Sequence, residues 1–170
     1  FALPADLPLG YHRVYAQSGA EESSAALIVT PAWLGLPERV GQRRLWGLAT
    51  QLYSVRSARS WGIGDLTDLT DLAVWSAARH GAGYLLINPL HATAPTTPIE
   101  PSPYLPTSRR FVSPLYLRVE AIPEYSELPT RRGVRKLHAG LLRRTAETDG
   151  IDRDASWQAK RRALKKVYRV

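Results

Sequence analysis

The sequence predicts an α/β fold built from parallel strands with a connecting helix, entered through a small β-rich module. Three observations carry this reading. Residues 48–53 read as a buried strand, and the run Tyr84-Leu85-Leu86-Ile87 is short, continuous and apolar, as expected of a strand buried on both faces of a parallel sheet. Between them, Leu66, Leu69, Leu72, Ala73 and Ala77 recur at three- and four-residue steps, the spacing of one helix face. That stretch opens on Asp65, whose carboxylate suits a helix N-cap, and closes on His80-Gly81, a last-turn base followed by a left-handed stop. Strand, helix and strand in this order form a βαβ unit.

The β-rich module is read from residues 8–45. Tyr11, Arg13 and Tyr15 fall on one face of a strand and His12 and Val14 on the other, and a second apolar stretch at residues 25–29 follows a turn at Gly19. Two antiparallel strands are the simplest arrangement, and a pair so small is expected to complete a larger sheet, the end of a β-sandwich-like module. The polar, basic connector at residues 37–44 places a boundary there, giving a first region at 1–44 and a second at 45–170.

Beyond the second parallel strand, residues 92–130 carry eight prolines and little periodicity, so a long ordered loop is expected. Helical spacing returns at Val134, Leu137, Leu141 and Leu142, stops at Asp149-Gly150 and restarts at Asp152, with Trp157, Leu164 and Tyr168 on one stripe. In parallel α/β proteins the loops after strand C-termini build the functional site. Here those are the loop at residues 54–64 and the loop at residues 91–130.

Composition narrows the chemistry. With no cysteine there is no disulfide, thiol nucleophile or thiolate-held metal, and a reducing, cytoplasmic setting fits. No apolar run is long enough to cross a bilayer, so no membrane partner is expected. The net charge of +8 is concentrated: residues 131–170 hold thirteen Lys and Arg against four Asp and Glu. These cations lie beside helix-spaced leucines and are read as solvated helix faces, not as a nucleic-acid groove. His12, His80 and His138 are isolated, so neither a metal site nor a cofactor is assigned. Trp33, Trp46, Trp75 and Trp157 read as core.

Four segments carry a family resemblance. Residues 52–65, LYSVRSARSWGIGD, Asn88-Pro89-Leu90-His91-Ala92, residues 102–111, SPYLPTSRRF, and Pro114-Leu115-Tyr116-Leu117 follow one another at the spacing of the amylomaltases, glycoside hydrolase family 77. The chain resembles that family from Leu45 to Tyr125 and more weakly in its last helix, and the strands around Leu9-Gly10-Tyr11-His12 resemble the end of the β-sandwich that precedes the barrel in longer members. Leu105 and Thr107 stand where the family usually has Ser, and Arg153 replaces a Tyr.

The resemblance implies the start of a (β/α)8 TIM-type barrel and a 4-α-glucanotransferase that moves α-1,4-glucan segments between maltooligosaccharides by a retaining double displacement. Such chemistry needs a carboxylate nucleophile and a second carboxyl as acid and base, about 5 Å apart. The family places them on later strands, so no catalytic residue is assigned in this chain, which is expected to be inactive without the remainder of the barrel. By the same resemblance Tyr104 is an aromatic platform for a glucose ring, whose C–H face is apolar and whose edges are hydroxyls. Ser102 and Asn88 either bond sugar hydroxyls or fix the loop backbone. Trp61 lines the same cleft or packs beneath the loop, Arg56 and Arg109 face sugar hydroxyls or carboxylates, and His91 lies near the strand end. Asp65 and Asp68 read as helix caps. Two other classes stay open: a non-catalytic glucan-binding module, and a basic nucleic-acid-binding domain.

Overall fold

In the computed structural model, residues 2–169 are described apart from Arg39, Gln42 and Arg43, so the connector expected at 37–44 lies partly outside the described residues. The chain divides into two compact units, Phe1–Arg44 and Leu45–Val170.

The first unit is an antiparallel hairpin of β1 (Gly10–Ser18) and β2 (Glu21–Val29), paired without a break from Gly10↔Val29 to Ser18↔Glu21. A two-residue loop, Gly19-Ala20, joins them. Tyr11, Tyr15 and Ile28 are exposed, so the alternation of the sequence orders the pairing but covers neither face within this unit.

The second unit holds the βαβ element. β3 (Gly47–Thr50) and β4 (Tyr84–Ile87) pair in parallel, Gly47↔Tyr84 to Thr50↔Ile87, and α1 (Leu66–His80) connects them. The α1 cap is local chemistry: the Asp65 carboxylate accepts from the backbone N–H groups of Thr67 and Asp68, and the Asp68 carboxylate returns a bond to the Asp65 N–H. At the other end Gly81 adopts the left-handed conformation at φ 68°, donating to Ala77 O while Ala82 N–H reaches Ser76 O.

Several expectations need correction here. The first strand ends at Thr50, not at residue 53, because Asn88 Oδ1 takes the Leu52 N–H and the chain turns into a 3-10 turn, Leu52–Ser54. β4 is not buried on both faces: Tyr84 and Leu86 are exposed, Leu85 and Ile87 half-buried, since among the described residues β4 has one strand neighbour. The fully buried residues of α1 are Asp68 and Ser76 and not its leucines. Trp33, Trp46 and Trp75 are exposed rather than core, and Trp157 is half-buried with its indole N–H on Pro95 O.

The long loop is more regular than its prolines suggest. β5 (His91–Ala92) pairs antiparallel with β6 (Ser108–Val112), followed by 3-10 turns at Pro114–Tyr116, Val119–Ala121 and Pro123–Glu127. Then α2 (Arg132–Thr145) and α3 (Arg153–Val167, capped by Asp152) pack against each other. The largest core cluster lies between these helices and the loops: Trp61, Val119, Val134, Leu141, Ala155, Ala163 and Val167. A smaller one joins Ile63, Ile99 and Leu115. The buried stripe of α3 is Ala155, Ser156, Lys160, Ala163 and Val167, one residue out of phase with the expected Trp157, Leu164 and Tyr168; Tyr168 is 92% exposed.

Candidate functional site

Two loops meet beyond the C-terminal ends of β3 and β4. The first runs from the 3-10 turn at Leu52–Ser54 back to Asp65. Gly64 makes this return possible: its N–H bonds Tyr53 O at 3.0 Å, and a Cβ there would stand 2.0 Å from Leu52 O and 2.2 Å from Val55 O.

Beneath this loop lies a buried ion cluster. Arg118 Nε donates to Asp65 Oδ2 at 2.5 Å and its Nη2 to Asp68 Oδ1 at 2.9 Å, while Ser57 and Ser60 hydroxyls donate to the two Asp68 oxygens at 2.7 Å each. Burial pushes the Asp68 carboxyl up, but the bonds from Ser60, Ser57, the Asp65 N–H and Arg118 outweigh it and hold the group below its ordinary range. Burial likewise works against the Arg118 charge, and Asp65 and Asp68 more than restore it. The caps read from the sequence are therefore also the anions of a cross-loop bridge, whose cation lies 53 and 50 residues away. Nothing local in the sequence announces Arg118.

Trp61 is fully buried, so it packs beneath the loop and does not line a cleft in this structure. Its indole N–H donates to Glu120 at 3.0 Å, and its ring stacks on His138 at 4.9 Å between centroids. His138 Nε2 in turn donates to Ser60 O at 3.1 Å.

Of the two readings of Asn88, the structure shows the loop fastener. It is buried, its Oδ1 accepts from Leu52 N–H at 2.7 Å, and its Nδ2 donates to Pro89 O at 2.8 Å and to Tyr116 Oη at 2.9 Å. Both amide donors and one of the two acceptor sites of Oδ1 are used inside the chain. Burial raises the Tyr116 phenol, against the bond from Asn88.

The second loop carries the residues that face solvent. β5 and β6 pinch its base, with Thr107 N–H on Ala92 O at 3.0 Å and Ser113 N–H on Leu90 O at 2.8 Å. At the tip, Ser102 N–H donates to Glu100 Oε1 at 2.9 Å and Tyr104 N–H to Ser102 Oγ at 3.3 Å. Ser102 thus shapes the turn that presents Tyr104, which is 61% exposed. Arg109 on β6 and Arg56 on the first loop are exposed, and His91 is half-buried. Tyr53, His91, Glu100, Pro103 and Arg153 border a crevice of about 20 Å³, with the Arg153 guanidinium 5.0 Å over the Tyr53 ring. That volume suits a water and not a sugar, so the geometry is an exposed platform beside a water-sized crevice. Of two wider cavities, one of about 630 Å³ lies between α2 and α3 and one of about 750 Å³ between α3 and residues 95–97 of the second loop, both among Lys and Arg side chains.

The sequence profile of the 4-alpha-glucanotransferase family, glycoside hydrolase family 77, matches residues 50–170, the stretch that holds both loops. The chain belongs to the 4-alpha-glucanotransferase family. Residues 1–31 match the profile described as the MalQ N-terminal beta sandwich domain. The 4-alpha-glucanotransferase of Mycobacterium tuberculosis (strain ATCC 25618 / H37Rv) is 64% identical over 176 residues, covering all of this chain and 24% of that protein. The 4-alpha-glucanotransferase of Haemophilus influenzae is 40% identical over 119 residues, 70% of this chain and 17% of that protein. The crystal structure of amylomaltase from Corynebacterium glutamicum superposes with a TM-score of 0.82 at 42% identity, covering 98% of this chain and 24% of that one. The chain thus spans about a quarter of the length of these 4-alpha-glucanotransferases.

Proposed function

We propose that the polypeptide carrying this chain transfers α-1,4-glucan segments between maltooligosaccharides by a retaining double displacement in the cytoplasm, and that residues 45–170 open its (β/α)8 barrel after the end of a β-sandwich at 1–44. The nucleophile and the acid/base carboxyl are assigned to regions outside this chain. Its own part is to build one wall of the sugar site, with Tyr104 as the platform and Ser102, His91 and Arg109 around it. One observation carries the reading: within the stretch matching the family, the loop after β4 holds Tyr104 61% exposed in a turn shaped by Ser102 and Glu100. An aromatic ring presented to solvent at a strand-end loop offers a flat apolar face on which the C–H face of a pyranose can stack.

The test is disproportionation of maltotriose by the complete polypeptide, read as glucose plus longer maltooligosaccharides. Tyr104→Ala is expected to raise the KM for maltotriose about tenfold, the effect of losing roughly 1.4 kcal/mol of stacking. A complete polypeptide that leaves maltotriose unchanged overturns the activity. An unchanged KM in the variant overturns the platform.

A further inference from the structure

We propose that Lys160, on α3, is a positioning residue for the sugar site, acting through a buried polar relay that runs from the helix to the ends of both parallel strands. This rests on the glucanotransferase reading above.

The sequence places Lys160 in a row of cations expected to face water, yet its side chain is fully buried. Its Nζ donates to the backbone carbonyl of Leu115, in the 3-10 turn Pro114–Tyr116. The next residue, Tyr116, takes the Asn88 amide on its hydroxyl, and Asn88 Oδ1 takes the Leu52 N–H. Asn88 immediately follows β4, and Leu52 lies two residues beyond β3. One ammonium on a distant helix therefore fixes the turn whose tyrosine locks both strand-end loops.

A buried lysine is a costly way to hold a turn. Burial drives its pKa down from 10.5 to about 8, and Asp65, Asp68 and Glu120 favour its charge while Arg118 opposes it. An apolar residue at this position would avoid that desolvation cost, but it would offer no donor to the Leu115 carbonyl. What the lysine adds over an apolar residue is direction: a hydrogen bond sets where the Leu115–Tyr116 peptide sits, which packing alone leaves looser. Leu115 and Tyr116 both border the crevice beside the Tyr104 loop, so a shift there is felt at the sugar wall.

The experiment is a double-mutant cycle in the complete polypeptide, with kinetics on maltotriose at pH 7. Lys160→Met keeps the length and removes the donor; Tyr116→Phe cuts the relay at its other end. Each is expected to raise KM about fivefold with kcat changed less than about twofold, and the double variant is expected to be no worse than the poorer single one. A purely structural role lowers the active fraction instead, cutting kcat and leaving KM alone. That result, or effects on KM that multiply in the double variant, overturns the proposal. If Lys160→Met does not fold, Tyr116→Phe decides by its own split between KM and kcat. Wild-type protein without transfer activity refutes the underlying functional reading, a different outcome from active wild type with unaffected variants.

Discussion

Arg118 meets two carboxylates at once, and its side chain is only 5% exposed against 0% and 2% for Asp65 and Asp68. The free energy at stake is less the attraction itself than the charge left behind if one partner goes. Arg118→Met is expected to destabilise the fold by about 3–5 kcal/mol. Adding Asp65→Asn and Asp68→Asn should recover part of the loss, since asparagine caps a helix nearly as well as aspartate and carries no charge to strand. Thermal melting of the three proteins checks this, and a triple variant less stable than Arg118→Met contradicts it. Lys160 gives a prediction of opposite kind. Its folded pKa of about 8 lies below the 10.5 of an unfolded lysine. Below pH 8 both states hold the proton and the folded state bears a buried charge. Between about 8 and 10.5 the native amine loses its proton while the unfolded one keeps it, so this group adds stability as pH rises, up to about 3 kcal/mol. The difference in denaturation midpoint between wild type and Lys160→Met should move in favour of wild type across that window; a flat difference refutes the assignment.

At the scale of elements, α1 shows which features are local. Its start and stop need only Asp65, Asp68 and Gly81, all within one turn of the ends, and they are legible in the sequence. Gly81→Ala puts a Cβ on a left-handed residue and is expected to cost about 1 kcal/mol, seen as a lower melting midpoint with the far-ultraviolet spectrum unchanged. The end of β3 was not legible, because the group that stops its ladder is a side chain 36 residues on, Asn88. The phase of α3 is hidden from the sequence for another reason. In a helix with lysine or arginine at Arg153, Lys160, Arg161, Arg162, Lys165 and Lys166, an inward-turned cation looks like its neighbours, and one residue of phase rotates the buried face by about 100°. The candidate site divides in the same way. Tyr104 sits in a turn whose Ser and Glu are its near neighbours in sequence, whereas Trp61 and Asn88 are buried by contacts with residues 59 and 28 positions away.

For the whole chain, apolar surface is the notable feature. Val74, Trp75, Tyr84 and Leu86 of the βαβ unit are each more than half exposed, and β3 and β4 pair only with each other among the described residues. Open strand edges beside exposed apolar side chains invite association. Residues 45–170 expressed by themselves are expected to form soluble oligomers or precipitate and to bind an apolar dye. A monomeric species with a sharp, reversible melt would contradict this. No helix among the described residues is long and apolar enough to cross a membrane.

By itself the sequence determined the βαβ order, the hairpin before it, the caps of α1 and the family, because each rests on residues close together or on motifs read along the chain. The tertiary structure decided which charges are buried, where β3 ends, and that Trp61 and Asn88 fasten loops from within. Those outcomes depend on pairs 28 to 59 residues apart, such as Arg118 with Asp65 and Trp61 with Glu120. A buried polar group must find its partner wherever the fold brings one within reach, and no local pattern records that choice.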